Sequence, residues 1–362
     1  KPYFDSDELE EVKKVLDSGW VAQGPKTKEF EEKIADYLGV KHVITVSNCT
    51  AALHLSLLAC GVGENDIVLV ADFTFPATGH AVLHCGAVPF FIDVNKLTYN
   101  VHRVPTFINR QAIKAIIPVH SFGLTADMDE IMQAAEYLDA VVIEDAACAL
   151  GAMYKGNPAG TIGDIGCFSF HARKGITTGE GGAIVTNNDQ IAETARSLSM
   201  FGISSAKERE KEFSIPSFVE CGYNYKMSDI NAAVGVAQMN KLNAIIGMKQ
   251  SLAFYWNYKL RDLPFEPQFV PPHCDHVYQS YVVQVGDGIG RDALIIKLRE
   301  KGIQTNIGTY ASHIQPVYVA DQQCPNSLEI YKRALALPMY YGLTTADIDL
   351  VVDELERIVE VL

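Results

Sequence analysis

The feature that most constrains this chain is its regular alternation of short apolar runs with helical patterns over the first two thirds. Strand-length apolar runs fall at 42–46, 67–70, 89–93, 115–118, 141–144, 167–170 and 183–186. Helical spacing of apolar residues falls at 7–16, 28–38, 50–59, 76–83, 128–138 and 190–198. Runs that are apolar throughout, rather than alternating, suit strands covered on both faces. The expectation is therefore an α/β fold with a mainly parallel sheet between helices. In such sheets ligands sit beyond the carboxyl ends of the strands, so the loops there are where chemistry should be sought.

The pattern breaks at 201–225, a polar stretch that includes the alternating charges of 207–211. It reads as a solvated loop or an active-site flap. One long helix is expected from 228 to about 260. A smaller α+β unit follows, with strands at 281–285 and 304–308 and helices at 291–301 and 345–361. The division drawn from this is a large domain over 1–245 and a small C-terminal domain over 246–362.

Composition narrows the function classes. Of 362 residues, 48% are hydrophobic and 20% charged, enough for a sizeable core and incompatible with a disordered chain. The formal net charge is −14, the wrong sign for nucleic-acid binding. No apolar run is long enough to span a bilayer, and no basic segment leads into an apolar stretch as in a signal peptide. The eight cysteines are scattered, with no CxxC pair. They read as free thiols in a reducing, cytoplasmic setting. His273, Cys274 and His276 stand close together, but no second ligand pair follows at zinc spacing, so they read as a polar loop and no metal site is expected.

Three segments carry chemistry. The run Val141–Asp145 delivers a carboxylate, Asp145, at the end of a strand, followed by the small residues Ala146 and Ala147. The run Cys167-Phe168-Ser169-Phe170 leads into His171, Arg173 and Lys174, then a Gly/Thr-rich loop ending Gly179-Glu180-Gly181-Gly182. That loop is neither a Walker loop nor a dinucleotide fingerprint, because a strand follows it. The run Ser47-Asn48-Cys49-Thr50-Ala51 passes from a strand into a helix whose free amides form an anion site. Each alone reads as an ordinary strand end, turn or helix cap. Together they supply what pyridoxal phosphate requires: a carboxylate for the pyridine nitrogen, a helix N-terminus for the phosphate and a lysine for the Schiff base.

At that point the chain resembles the DegT/StrS-type sugar aminotransferases, which are fold type I pyridoxal-phosphate enzymes. The resemblance runs through Ser18-Gly19-Trp20, Gln23-Gly24-Pro25, 47–55, Phe73-Thr74-Phe75, Pro118-Val119-His120, 144–151, 169–182, Gly222-Tyr223-Asn224-Tyr225-Lys226-Met227, His313-Ile314-Gln315-Pro316 and Leu337-Pro338. It implies that Lys174 bonds the cofactor and that Asp145 faces the pyridine nitrogen. It places Ala147 and Phe75 on the two faces of the ring. Thr50, the amide of Ala51 and Ser169 would hold the phosphate, joined by Asn224 from the second subunit of a homodimer with shared sites. Lys226 and His313 would line a sugar-nucleotide site. The family usually has Gln or His where Cys148 stands, touching the phenolic oxygen, and a thiol is a weaker partner there.

The implied reaction is transfer of an amino group from an amino acid, glutamate by resemblance, to a ketone on a nucleotide-linked sugar. Related enzymes acting on other ketones, for aminocyclitols or an aromatic amino acid, remain open. Sugar dehydratases of this scaffold carry histidine in place of the lysine, and Lys174 argues against that chemistry. A cofactor-binding regulator would not need a Schiff-base lysine.

Overall fold

A computed structural model describes residues 2–105, 112–203, 215–318 and 321–360. The charged run 207–211 lies outside these residues.

A seven-stranded sheet organises the first two thirds, in the order His42–Val46, Gly182–Thr186, Ile165–Ser169, Val141–Asp145, Ile113–Ile117, Ile67–Ala71, Val88–Ile92. Pairing is parallel except along Gly182–Thr186, which runs antiparallel to both neighbours. Its five residues are buried without exception.

Alternate side chains of each strand feed different cores. Val68 and Val70 point into one core with Ala115, Ile117 and Ile143, covered by the helices Cys49–Ala59, Pro76–His84 and Asp189–Ser199. Leu69, Ile116 and Val142 point to the other side, against Met128–Leu138. At the far edge Val43, Ala183 and Val185 meet the helices Pro25–Leu38 and Asp229–Met239. Burying each large apolar side chain contributes about 1.5–3 kcal/mol, so a sheet with both faces covered is the stable answer to such runs.

The region read as one helix over 228–260 is two helices, Asp229–Met239 and Leu242–Leu260. The second joins the large sheet to the C-terminal third. Its Ile245 packs among the cores of the large sheet. Leu252, Ala253, Trp256 and Leu260 instead enter a separate core with the helices Arg291–Glu300 and Thr345–Val359. That core covers an antiparallel four-stranded sheet in the order Phe265–Pro267, Tyr281–Val285, Ala334–Leu337, Asn306–Ile307. The strand expected at 304–308 is only Asn306–Ile307.

Cys274 pairs in a short strand with Tyr154 and touches Thr125, while His276 is buried against Gln268. All eight cysteines are free.

Candidate active site

A cleft of about 490 Å³ opens at the carboxyl ends of the parallel strands. Asp145, the last residue of its strand, is fixed at the cleft floor. Its amide donates to the Pro118 carbonyl at 2.9 Å and its carbonyl accepts from the His120 amide at 3.0 Å. The carboxylate is buried. Its Oδ2 accepts from the Thr78 hydroxyl at 2.8 Å and its Oδ1 from the Ala147 amide at 3.1 Å. Thr78 in turn meets the hydroxyl of Thr74, four residues earlier in the chain, at 2.9 Å. Two donors to one buried carboxylate fix its orientation toward the cleft.

The neighbouring Glu144 faces the opposite side of the sheet. It is fully buried and accepts from the amides of Gly160, Ile162 and Gly163 and pairs with His120 Nε2 at 2.8 Å. Adjacent carboxylates thus serve different ends: Glu144 fastens a loop, and Asp145 faces the cleft.

Lys174 stands on a loop that closes on itself. The Phe170 amide donates to the Gly181 carbonyl at 2.8 Å, the Thr178 amide donates to the Phe170 carbonyl at 2.9 Å, and the Lys174 amide caps His171 at 2.9 Å. The Lys174 Nζ donates to Cys148 Sγ at 3.1 Å. Burial pulls the ammonium down, but the Cys148 and Cys49 sulfurs and the Asp145 carboxylate outweigh it and leave it above the ordinary lysine value. Before attacking a carbonyl it must lose that proton, so its neighbours set when it becomes a nucleophile.

The third part is the N-terminus of the helix Cys49–Ala59. Asn48 caps it, accepting from the Ala51 amide at 2.8 Å. Thr50 and Cys49 line the cleft, whereas the Ala51 amide is engaged by that cap. A Cβ on Gly182 would come within 2.5 Å of the Asn48 backbone, so the strand after the lysine loop packs directly against this helix start. Ser169 closes the floor, its hydroxyl accepting from the His171 amide at 3.4 Å. Ala147 and Cys148 form part of the wall, and Phe75 lies exposed at the mouth.

The other expected residues lie elsewhere. His313 is outside the cleft lining. Its amide and Nδ1 bond to Asp72 at 2.6 and 2.7 Å. Burial pushes the Asp72 carboxyl above its usual range, against the pull of His313. Asn224 is exposed and accepts from the Lys226 ammonium, which also lies 4.9 Å from the centre of the Phe201 ring. Neither Asn224 nor Lys226 lines the cleft of its own chain.

Thr78, Lys249 and Gln279 line the cleft although no motif pointed to them. Thr78 had one faint signal, its place just after the Phe73-Thr74-Phe75 segment. Lys249 and Gln279 come from the C-terminal third and had none.

The donor set fits pyridoxal phosphate. One cleft contains a buried, doubly hydrogen-bonded carboxylate, a lysine, and hydroxyls beside a helix N-terminus, with a small residue, Ala147, on its wall.

Comparison with known proteins agrees. The family model described as the DegT/DnrJ/EryC1/StrS aminotransferase family matches residues 2–356. The spore coat polysaccharide biosynthesis protein SpsC of Bacillus subtilis is 34% identical, over 99% of this chain and 96% of its own length. A DegT/DnrJ/EryC1/StrS aminotransferase from Brucella abortus superposes with a TM-score of 0.89 at 30% identity, covering 98% of this chain and 95% of the other. The PLP-form of Streptococcus pneumoniae Spr1654 superposes with a TM-score of 0.90 at 26% identity, covering 99% and 97%. With the family matched along nearly its whole length and the cofactor's donors gathered in one cleft, the chain belongs to the DegT/DnrJ/EryC1/StrS sugar aminotransferase family and is a pyridoxal-phosphate-dependent aminotransferase.

Proposed function

We propose that the enzyme moves the amino group of L-glutamate to a ketone of a nucleotide-linked sugar, and that it works as a cytoplasmic homodimer with shared sites. The observation that carries this reading is the convergence of Lys174, Asp145, Thr50 and Ser169 on one cleft. When bound there, the cofactor supplies an electron sink and carries the amino group between the two substrates.

The chain's residues do the rest. Asp145, held by Thr78 and the Ala147 amide, presents its carboxylate to the position of the ring nitrogen. Thr50, Ser169 and the helix start favour a phosphate dianion. The Lys174 Nζ, once deprotonated, takes the proton from the donor's α-carbon and returns it elsewhere, so one group serves as base and then acid. Past Lys174 the cleft continues to Met339, Tyr340 and Tyr341, leaving room for a large acceptor whose nucleotide would contribute remote binding energy. The name of SpsC, from polysaccharide biosynthesis, agrees with a sugar acceptor.

The shared site is supported by where Asn224 lies. It is exposed and outside the lining of its own cleft, and Phe201, Phe218 and Val219, on the backbone segments bonded to its own, are exposed apolar residues. A second copy covering that surface would bury them and bring Asn224 to its own cofactor phosphate.

The test is spectroscopic. Glutamate added to the loaded enzyme should shift its visible absorbance, and a keto-sugar nucleotide should shift it back. Lys174→Ala should slow the first change by about 10²–10⁴-fold, the usual weight of a general base. Near-normal turnover in that variant would remove Lys174 from the reaction.

A further inference from the structure

Two lysines are buried among the described residues, and they are treated differently. Lys241 is met by Asp5 and Glu8. Lys249, on the helix Leu242–Leu260, is 6% exposed and has no acidic partner among the described residues. Its Nζ donates to the Gln279 carbonyl at 3.2 Å, one acceptor for three N–H groups. The Gln279 side chain donates to the Arg173 carbonyl at 2.7 Å, so Lys249 is tied to the loop that presents Lys174.

A buried ammonium without a counter-ion is costly, and folds keep one where a ligand completes it. Lys249 lines the cleft beside Lys174 and Cys148. It is close enough for Lys174 to add to the downward pull of burial on its ammonium. An amino-acid donor reaching Lys174 brings at least one carboxylate. Asp145 and Glu180, the acidic groups lining the cleft, repel that carboxylate. The cations lining it are Lys174, Arg173 and Lys249. Lys174 is occupied by its own chemistry and Arg173 is exposed, which leaves Lys249 as the buried, unneutralised charge.

We propose that Lys249 is the carboxylate-binding group for the amino donor, its ammonium completing its hydrogen bonds on the donor carboxylate while Gln279 holds its stem end in place. This rests on the aminotransferase reading with glutamate as donor. It assigns to the helix Leu242–Leu260 a direct part in donor choice, and it makes an amine without a carboxylate a poor donor.

The test uses loaded enzyme and glutarate, an unreactive dicarboxylate, with binding followed by calorimetry. Lys249→Met should weaken glutarate binding by about ten- to a hundredfold, the loss expected for hydrogen bonds to a charged group. Lys249→Arg should keep most of it. Binding of uridine diphosphate, a probe for the nucleotide end of the acceptor, should be unchanged in both. In wild type, glutarate should also protect Lys249 from acetylation by an N-hydroxysuccinimide ester, located by peptide mass spectrometry. This arm stands even if Lys249→Met does not fold. Glutarate affinity within twofold of wild type in Lys249→Met, or no protection of Lys249, overturns the proposal. Loss of uridine diphosphate binding with glutarate binding kept also overturns it and assigns the ammonium to the acceptor's phosphates. Wild type that binds no glutarate overturns the glutamate-donor reading together with this proposal, whereas glutarate binding that survives in Lys249→Met overturns this proposal alone.

Discussion

Lys249 and Asp145 show how differently two buried groups of this cleft are partnered. Asp145 is held by two donors, the Thr78 hydroxyl and the Ala147 amide. Lys249 has one carbonyl, and burial lowers its ammonium from the ordinary 10.5 to about 8. Between those two values the unfolded chain holds the proton and the folded chain does not, so this group's contribution to stability rises with pH. Below pH 8 the full penalty is present, on the order of 3 kcal/mol if the whole shift is expressed. Cofactor-free Lys249→Met should therefore be more stable than wild type by up to that amount near pH 7, and the gap should narrow as pH approaches 10. Urea unfolding of both proteins at the two pH values measures it; a gap that widens with pH would contradict it. Asp145 and Lys174 were legible because strand ends and Gly-rich loops mark where side chains meet ligands. Lys249 was not, because its chemistry comes from having no acidic partner among the described residues, which only packing reveals.

At the scale of elements, the alternation of apolar runs located all seven strands of the large sheet within a few residues. It said nothing of direction: Gly182–Thr186 is as apolar as the parallel strands of the sheet, and its reversal follows from the Lys174 loop folding back by hydrogen bonds between Phe170, Thr178 and Gly181. The split at Asn240 and Lys241 was hidden too, since apolar spacing continues through it. The cause is remote. Lys241 turns its buried ammonium to Asp5 and Glu8, and Gln238 also donates to Glu8, so the N-terminal helix Ser6–Ser18 is clamped to the break. Likewise Asp229 caps the helix Pro25–Leu38 across more than 200 residues, accepting from the amides of Gly24, Lys26 and Thr27. Such partners leave no local signal. Lys241→Met should strand the buried Glu8 and cost about 3–5 kcal/mol, read as a lower urea midpoint; a change below 1 kcal/mol would mean the clamp carries little.

For the whole molecule, the second core around Trp256 and Tyr281 is separate from the cores of the large sheet, yet its connecting helix carries Lys249 into the cleft. The site is thus built from both ends of the chain, and the proposed dimer adds a third source. Lys174→Ala and an Asn224 variant with a bulky side chain, each inactive alone, should recover part of the activity when their subunits are exchanged, because one site of the mixed dimer would hold both intact residues. No recovery after demonstrated exchange would mean that each site is made by one chain.

The central claim is that nitrogen passes from an amino acid through the Lys174 cleft to a sugar ketone. The most direct measurement gives the loaded enzyme ¹⁵N-glutamate and a panel of keto-sugar nucleotides and follows the label by mass spectrometry. The account predicts ¹⁵N in an amino-sugar nucleotide, with no transfer above background by Lys174→Ala. Label that leaves glutamate with wild type but enters none of the keto-sugars, or transfer that persists undiminished in Lys174→Ala, would contradict it.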